Sequence, residues 1–396
     1  MQIAGAKQAC PACGSADIVV CADRGRVPVF QNARYPDPAT ARDVARGHLI
    51  LAVCRRCGFG FNATFDPHLA QYDAAYENDQ TISPHFLRHV DAMAGQALAM
   101  VADRPDALVV EVGCGQGGFL RHLLAAPGGA LGGAVGFDPS LRHPVDAGGL
   151  RLEARLFDAA AARSLATAPD LVILRHVIEH VDTPFELMAA IRATMDLAKP
   201  ARILIETPCL EWILQHDAWH DVFYEHCSYF TAASLARLLR RAGFTKVAVT
   251  HVFGGQYLAA SGEAGPAAEA ADPGEGAAVA ERAAIFGHSF EAFVARWRER
   301  LAERQPLGIW GAGAKGVTFA ALIGAAVPVR GLIDIDPKKQ GSYAAMSALP
   351  ILSPAEAAGQ GIRHVVVMNP NYASEIAAMV ADLPSPMELT IMDAAP

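Results

Sequence analysis

The chain has 396 residues, a formal net charge of -8 and a hydrophobic fraction of 52%. It is too apolar to be wholly disordered, and it is long enough that more than one hydrophobic core is expected. The acidic balance argues against a nucleic-acid partner. The longest charge-free apolar stretch, residues 317–329, is shorter than the roughly 17–25 residues that span a bilayer, which argues against a membrane partner.

Four of the eight cysteines form two C-x-x-C-G motifs, at Cys10, Cys13, Cys54 and Cys57. The two-residue spacing lets both thiolates of a pair point at one ion, and the following glycine permits a tight turn. Two such pairs predict a closed four-thiolate zinc site that serves folding and not catalysis. No secretory signal opens the chain, so we expect a cytoplasmic location, which disfavours disulfides. A redox C-x-x-C would not need a second copy. We therefore predict a zinc-binding module over residues 1–70.

The middle of the chain, residues 71–260, alternates between short apolar strands and helices. Strands are predicted at residues 108–112, 134–137, 171–174, 202–206 and 247–252, and helices at 119–124, 185–195 and 232–242. This alternation predicts an α/β fold with a parallel sheet covered on both faces. Residues 254–276 are rich in Ala, Gly, Glu and Pro and predict a loop or linker, and residues 261–305 are predicted to be a linker and a helix that lead to the next unit. A second α/β unit is predicted over 306–396.

The first strand of the middle unit leads into a glycine-rich loop with the pattern E-x-G-x-G-x-G, formed by Glu111, Gly113, Gly115 and Gly117. Glycines let the backbone approach a ligand closely. The spacing differs from the dinucleotide pattern G-x-G-x-x-G and resembles the loop of class I methyltransferases. The resemblance implies that the loop holds the methionine part of S-adenosylmethionine. A nucleotide or NAD site on the same sheet is the alternative.

Four further residues are predicted to line this cofactor cleft. Asp138 ends the next strand, where a carboxylate can accept hydrogen bonds from both ribose hydroxyls. Asp158 is placed to reach the adenine amine, and Arg175 and His176 lie in the turn after the fourth strand. His176 and His180 have the i, i+4 spacing of metal ligands, but no third ligand is evident.

A segment rich in Tyr, Glu and His follows the fifth strand, at the sheet edge where catalytic residues collect in open α/β folds. Within it, His226 is a candidate general base near neutral pH. Glu225 or Tyr224 could stabilise a developing enolate or orient the histidine. The alternatives are solvated loop residues or a zinc-like cluster of His216, Asp217, His220 and Glu225.

The C-terminal unit opens with a second glycine loop, in the frame Gly311-x-Gly313-x-x-Gly316, and Lys315 adds a cation. A glycine loop at a helix N-terminus suits a pyrophosphate. Asp334 and Asp336 lie near the position of a ribose-binding acid, and Asn369 is predicted to line the same site. Read alone, the motif predicts an NAD domain or a purely structural glycine turn.

Taken together, the two C-x-x-C-G motifs, the E-V-G-C-G-x-G loop, the E-H-x-S-Y-F segment and the C-terminal G-x-G-A-K-G loop resemble the nucleotide-deoxysugar C-methyltransferases over nearly the whole chain. The resemblance implies an N-terminal zinc module, a middle domain that binds S-adenosylmethionine, and a nucleotide-linked substrate in a cleft shared with a C-terminal Rossmann-like domain.

Several residues match the functional residues of that family. His226 matches its catalytic histidine and Glu225 the neighbouring glutamate, and Tyr76 resembles a second active-site tyrosine. Phe223 stands where the family has a tyrosine. The resemblance implies C-methylation of a nucleotide-linked keto-sugar through a histidine-generated enolate. The alternatives are O- or N-methylation of another nucleotide-bearing or phosphorylated metabolite, or an NAD-binding oxidoreductase or nucleotide sensor.

Overall fold

The computed structural model describes residues 6–72, 82–126, 131–268 and 274–392, which form three units. The N-terminal unit contains β1 (Ile18–Pro28), β2 (Arg34–Tyr35), α1 (Pro38–Arg42), β3 (Arg46–Cys54) and β4 (Gly60–Asn62). The middle unit contains α2 (Pro84–Ala99), β5 (Ala107–Val112), α3 (Gly118–Ala125), β6 (Leu131–Phe137), β7 (Val145–Ala147), β8 (Leu150–Glu153), α4 (Ala159–Arg163), β9 (Leu171–Arg175), α5 (Pro184–Ala193), β10 (Arg202–Pro208), α6 (Leu210–Gln215), β11 (Ser228–Tyr229), α7 (Ala232–Arg241), β12 (Phe244–Val252) and β13 (Tyr257–Ala264).

The C-terminal unit contains α8 (Glu275–Leu301), β14 (Leu307–Trp310), α9 (Ala314–Ile323), β15 (Val329–Ile333), β16 (Tyr343–Ala344), β17 (Ile351–Leu352), α10 (Pro354–Gly359), β18 (His364–Val367), α11 (Ala373–Ala381) and β19 (Glu388–Ile391). Single-turn 3₁₀ helices lie at Ile178–His180, Trp219–Asp221, Gly324–Ala326 and Pro370–Tyr372. Among the described residues, no helix is both long enough and apolar enough to cross a membrane.

The middle unit is built on an eight-stranded sheet in the order β12-β13-β10-β9-β5-β6-β8-β7. Its central strands from β10 to β8 run parallel. Both faces are apolar, since Val110 and Val172 pack into one core while Val109 and Ile173 pack into another. The C-terminal unit has a five-stranded parallel sheet in the order β17-β15-β14-β18-β19. The prediction of two Rossmann-like sheets is therefore confirmed.

The predicted linker is wrong in its first half. Residues Tyr257–Ala264 form β13, which pairs antiparallel with both β10 and β12. Leu258, Ala259 and Ala260 are buried there. The sequence did not predict this strand because most of its residues are Ala, Gly and Ser, whereas strands are recognised by β-branched and aromatic side chains. The predicted domain limit at residue 260 thus falls inside a strand.

The N-terminal unit is packed between the other two. Its β3 is buried on both faces: Leu49 and Leu51 join a core with α8 and Trp219, whereas Ile50 and Ala52 join a core with the middle sheet. The edge strand β4 pairs with β11 of the middle unit, and β2 pairs with β16 of the C-terminal unit. The N-terminal unit is therefore packed and paired with both of the other units.

Candidate functional site

The four predicted zinc ligands come together at one end of β3. The sulfur atoms of Cys10, Cys13, Cys54 and Cys57 all lie within 4.8 Å of one another. The Cys10–Cys57 and Cys13–Cys54 sulfur distances are 3.7 and 3.6 Å. A tetrahedral zinc with Zn–S bonds of about 2.3 Å separates its sulfurs by about 3.8 Å, so the cluster fits zinc. Gly14 and Gly58 have φ of 76° and 72°, the left-handed turn that each knuckle requires.

The first glycine loop lies between β5 and α3, with Gly113, Gly115 and Gly117 all at positive φ. A Cβ at Gly113 would come within 2.2 Å of Val177, and one at Gly117 within 2.4 Å of Leu152. A Cβ at Gly115 would meet nothing within 4 Å. Two glycines are thus required by packing, while Gly115 leaves open space above the loop where a ligand can approach the backbone.

Gly113→Ala is expected to weaken S-adenosylhomocysteine binding at least about tenfold, because a left-handed residue with a Cβ contact distorts the loop at a cost of about 1–3 kcal/mol. Gly95→Ala is the matched control, since Gly95 lies exposed within α2 and its Cβ would meet nothing. The control should be as stable as the native chain or slightly more so. Calorimetry with S-adenosylhomocysteine checks both variants, and unchanged affinity in Gly113→Ala would contradict the role of the loop.

The two predicted cofactor-binding aspartates already have partners within the chain. Asp138 Oδ2 accepts a hydrogen bond from the Gly115 amide at 2.7 Å, and its Oδ1 accepts from Ser140. Asp138 therefore shapes the glycine loop from the end of β6. Asp158 is exposed, and its Oδ1 accepts from the amides of Ala160 and Ala161 as the N-cap of α4. The contact of Asp158 with adenine stays a prediction.

Glu111 is the penultimate residue of β5, beside the first glycine loop. Its Oε2 is buried and has no hydrogen-bond partner within the described part of the chain. Burial raises the pKa of Glu111 to about 8, although Arg175 lowers it and Asp138 raises it further. A buried, unpartnered carboxyl beside an open glycine loop fits a ligand that brings its own donor or cation, as the amino group of S-adenosylmethionine does.

Arg175 and His176 converge on Glu206, a residue that the sequence did not single out. Glu206 lies near the C-terminal end of β10, is fully buried, and accepts a hydrogen bond from Arg175 Nε at 2.8 Å. His89 contacts its other oxygen, and His176 Nε2 lies 3.7 Å from it. Burial lowers the pKa of His176, but Glu206 and Glu179 outweigh burial and raise this pKa to about 9. His176 is therefore a cation at neutral pH.

A cavity of about 250 Å³ lies between the middle and C-terminal units. Residues of the middle unit that line it include His176, Glu179, His180, Phe223, Glu225, His226 and Tyr257. Residues of the C-terminal unit that line it include Gly311, Gly313, Lys315, Gly316, Asp334, Asp336, Lys339 and Asn369. The predicted base and the predicted phosphate loop therefore face one space.

His226 is surrounded by aromatic rings at the wall of this cavity. Its ring centroid is 4.1 Å from that of Phe223 and 4.9 Å from that of His180. His226 Nδ1 is buried and has no hydrogen-bond partner among the described residues. Burial, together with His180, His176 and Lys315, holds the pKa of His226 well below 6.5, so its imidazole is neutral at physiological pH.

Hydrogen bonds to other parts of the chain hold Glu225 and His180 in place beside His226. The buried Glu225 accepts a hydrogen bond from the Gln31 amide at 3.0 Å. His180 Nδ1 lies 3.0 Å from the Glu225 carbonyl oxygen and 2.7 Å from the Tyr72 hydroxyl. The N-terminal unit therefore helps to hold the segment that carries Glu225 and His226 in position.

The structure corrects the prediction for Tyr224. This side chain is fully buried away from the cavity, and its hydroxyl accepts a hydrogen bond from the Asp66 amide at 2.9 Å. Its ring packs against Gly47, where a Cβ would overlap it. Phe223, its neighbour, faces the cavity instead. Tyr76 lies outside the described residues.

The second glycine loop has the tight geometry that its motif predicts. Gly311 has φ of 112°, and a Cβ at Gly316 would lie 1.8 Å from the Gly311 carbonyl oxygen. Gly313 is the N-cap of α9 and, because glycine has no side chain, it cannot cap the helix with a side-chain hydrogen bond. The start of this ten-residue helix lines the cavity, and a helix N-terminus is a place that suits an anion.

Three residues predicted to bind substrate are engaged with other parts of the chain. Lys315 Nζ forms an ion pair with Asp221, with one oxygen at 2.5 Å. Asp334 Oδ2 accepts from the Ala312 amide at 2.9 Å and shapes the loop. Asn369 exchanges two side-chain hydrogen bonds with Gln256 at 2.9 and 3.0 Å. Lys315 and Asn369 thus join the middle and C-terminal units at the cavity. Their partners, Asp221 and Gln256, are so distant in sequence that these contacts could not be predicted.

Among the described residues, His216, Asp217, His220 and Glu225 do not come together as the alternative zinc-like cluster. His216 stacks on Trp212, Asp217 pairs with Arg296, and neither lines the cavity. Instead, atoms of Glu179, His180 and His226 lie within 4.8 Å of one another. One sequence feature indicated this group: Glu179 and His180 are adjacent and come directly after His176-Val177-Ile178.

Two protein-family models match the chain. A methyltransferase domain matches residues 86–249, and a C-methyltransferase C-terminal domain matches residues 278–385. The C-methyltransferase NovU of Streptomyces niveus is 26% identical over 391 residues, which cover 93% of this chain and 90% of that protein.

Solved structures show only distant likeness. Human N-acetylserotonin methyltransferase in complex with SAM has a TM-score of 0.34 at 19% identity, covering 45% of this chain and 55% of that one. An O-methyltransferase family protein from Burkholderia thailandensis has a TM-score of 0.32 at 19% identity, covering 48% and 64%. Likenesses at this level carry no argument about function.

Proposed function

This chain belongs to the S-adenosylmethionine-dependent C-methyltransferases, and from that premise we propose that it methylates a carbon next to the keto group of a nucleotide-linked sugar. The observation that carries the proposal is the single cavity lined by both His226 and the Gly311–Gly316 loop. A neutral imidazole suits the acidic C–H of a keto-sugar, and a helix N-terminus suits its diphosphate.

The proposed reaction begins with proton removal at the carbon alpha to the ketone. His226 takes the proton in its neutral form, and the electron pair of the C–H bond becomes the enolate. His176 faces the same cavity as a cation held by Glu179 and Glu206, and we assign it the stabilisation of the enolate oxygen. Phe223 cannot donate a hydrogen bond there.

The methyl group comes from S-adenosylmethionine, which supplies an electrophilic carbon on a sulfonium. Glu111 and the glycines of the first loop would hold it, with Asp138 keeping the loop in shape. Transfer of this methyl group would form the new C–C bond at the enolate carbon as the methyl–sulfur bond breaks, with the proton held on His226. The zinc cluster lies apart from the cavity-lining residues, and we assign it to folding.

The test is incubation of the enzyme with methyl-labelled S-adenosylmethionine and a panel of nucleotide keto-sugars, followed by mass analysis. We expect one labelled methyl group on carbon, and exchange of one substrate hydrogen with deuterated solvent when the methyl donor is left out. Transfer to oxygen or nitrogen without any exchange would overturn the proposal in favour of O- or N-methylation.

We expect kcat/KM for the sugar to stay level from pH 8 down to 6.5, because the pKa of His226 lies well below 6.5. The unprotonated base is the active form, so activity should fall about tenfold per pH unit only below that pKa. A pH–rate profile at saturating methyl donor, with melting curves to show that the enzyme stays folded, measures this. A midpoint at or above pH 6.5 would contradict the assignment.

A further inference from the structure

A second group of metal-ligating side chains lies outside both the cavity and the four-cysteine cluster. Cys209 follows β10, Glu211 lies in the first turn of α6, and His251 is the penultimate residue of β12. One ligand atom from each of the three lies within 4.8 Å of the other two. None of these side chains lines the cavity, and the proposed reaction uses none of them.

Two of the three ligand atoms are already close to the separation that a shared metal ion requires. The Cys209 thiol donates a hydrogen bond to Glu211 Oε2, with the sulfur and the oxygen 3.2 Å apart. A tetrahedral zinc with a Zn–S bond of about 2.3 Å and a Zn–O bond of about 2.0 Å holds these two ligands about 3.5 Å apart. A zinc ion can therefore take the place of the thiol proton with only a small movement of the side chains.

Backbone amides hold the sulfur and the carboxylate in place. Glu211 Oε1 accepts a hydrogen bond from the Ala232 amide at 2.9 Å, which leaves Oε2 for the sulfur. Cys209 Sγ accepts from the Trp212 amide at 3.4 Å, and a hydrogen bond of this kind favours the charged form of its acceptor. Cys209 is fully buried, so its side chain has little freedom to turn away. Two ligands are thus positioned before an ion arrives.

The third ligand lies on the solvent side of the group. His251 is exposed, and its ring makes no hydrogen bond or ion pair with any other residue that the structure describes. The imidazole can therefore turn toward the sulfur and the carboxylate, and its exposure gives an ion a path of entry. A sulfur, a nitrogen and an oxygen ligand together favour a borderline-soft ion such as Zn²⁺ over Mg²⁺ or Ca²⁺, which prefer oxygen alone.

We propose that Cys209, Glu211 and His251 form a second zinc site, separate from the four-cysteine cluster. Binding releases the thiol proton to solvent, and the thiolate and the carboxylate together balance the two charges of the ion. A water molecule completes the four ligands. Because it has three protein ligands, one of them exposed, this site binds zinc more weakly than the four-cysteine cluster. It fills when zinc is added to enzyme that already holds its first ion.

Zinc at this second site joins three separate elements of the middle unit. Cys209 is the N-cap of α6, Glu211 reaches the start of α7 through the Ala232 amide, and His251 belongs to β12. An ion that binds only the folded chain stabilises it as the site fills. Added zinc should therefore raise the melting temperature of enzyme whose four-cysteine cluster is already occupied.

Cobalt is the probe for the binding experiment, because a Co²⁺ ion bound by a thiolate has a charge-transfer absorption, whereas the filled d shell of Zn²⁺ is spectroscopically silent. The full-length enzyme, shown by metal analysis to hold one zinc per chain, is titrated with cobalt chloride. We expect one equivalent of cobalt to bind with a thiolate charge-transfer band while the zinc content stays unchanged. Added Zn²⁺ should then abolish the band, and added Mg²⁺ should not.

Two variants and a control identify the ligands. His251→Ala should weaken cobalt binding at least about tenfold, because the loss of a direct ligand costs at least as much as the loss of an outer-shell partner. Cys209→Ser should remove the charge-transfer band, which requires the thiolate. His143→Ala, at an exposed position between β6 and β7, is the control and should bind cobalt as the native enzyme does. Because His251→Ala changes an exposed side chain, it decides the result even where Cys209→Ser does not fold.

Melting curves give a second readout, since zinc should raise the melting temperature of the native enzyme and of His143→Ala but not that of His251→Ala. A native enzyme that binds no cobalt beyond its first zinc would overturn the proposal. So would a charge-transfer band that survives in Cys209→Ser, or an affinity that His251→Ala leaves unchanged. Cobalt binding that is matched by loss of zinc would place the cobalt in the four-cysteine cluster and would also overturn the second site.

Discussion

His226→Asn is expected to lower kcat/KM by about 10²–10⁴-fold while leaving S-adenosylhomocysteine affinity unchanged, because a positioned general base contributes about that much to rate. His226 lines the cavity shared with the second glycine loop. Asparagine keeps a polar group of similar reach but cannot accept the proton. Steady-state kinetics and calorimetry on the same preparation measure the two effects.

His216→Asn is the matched control, because His216 belongs to the same connection between β10 and β11 but stacks on Trp212 and does not line the cavity. It should keep nearly native activity. Solvent deuterium exchange into the substrate should disappear in His226→Asn and persist in the control. Exchange that survives in His226→Asn would assign the base to another residue and contradict the mechanism.

Much of the fold could be predicted because its signals are local. Short apolar strands alternating with helices lead to a parallel sheet, and both glycine loops lie where the motifs predicted them. The four cysteines converge because the spacing within each pair already fixes two ligands. The strand β13 was missed because Ala, Gly and Ser carry little strand signal, and its burial between β10 and β12 depends on tertiary structure.

The candidate site was harder to predict because its side-chain directions depend on distant partners. Phe223 and Tyr224 are neighbours, yet one faces the cavity and the other binds the Asp66 backbone. Lys315 has the sequence context of a phosphate ligand, but its partner Asp221 lies in another unit. Glu206 has no motif at all, and only the sheet brings it to Arg175 and His176.

Cys54→Ser is expected to abolish zinc binding and to leave little folded protein at 37 °C. Structural zinc contributes about 10–16 kcal/mol in small zinc peptides, as much as the whole stability of a typical domain. Cys54 is fully buried at the end of β3, whose residues pack into two separate cores. Zinc analysis of the native enzyme should give one ion per chain, and melting curves should show the loss of stability in the variant.

Cys21→Ser is the control, since Cys21 is only half-buried and lies outside the four-cysteine cluster. It should bind zinc and melt close to the native enzyme. A native enzyme that contains no zinc, and whose melting is unaffected by a strong chelator, would contradict the prediction. Thiol counting under denaturing, non-reducing conditions should find all eight cysteines free, and a deficit of two or four would indicate disulfides.

Zinc removal should also cost activity in proportion to the metal lost, because the N-terminal unit contacts the loop that carries His226, residues 219–231, on several sides. Arg24 donates to the Val222 carbonyl at 3.1 Å, the Gln31 amide donates to Glu225, and β4 pairs with β11 just after His226. Each contact fixes the position of the loop relative to the cavity. Loss of zinc would loosen the N-terminal unit and displace His226, so activity would fall although no residue of the site is changed. Titration with a chelator should therefore lower activity and zinc content together. Full activity in zinc-depleted enzyme would show that the loop holds its position without the module.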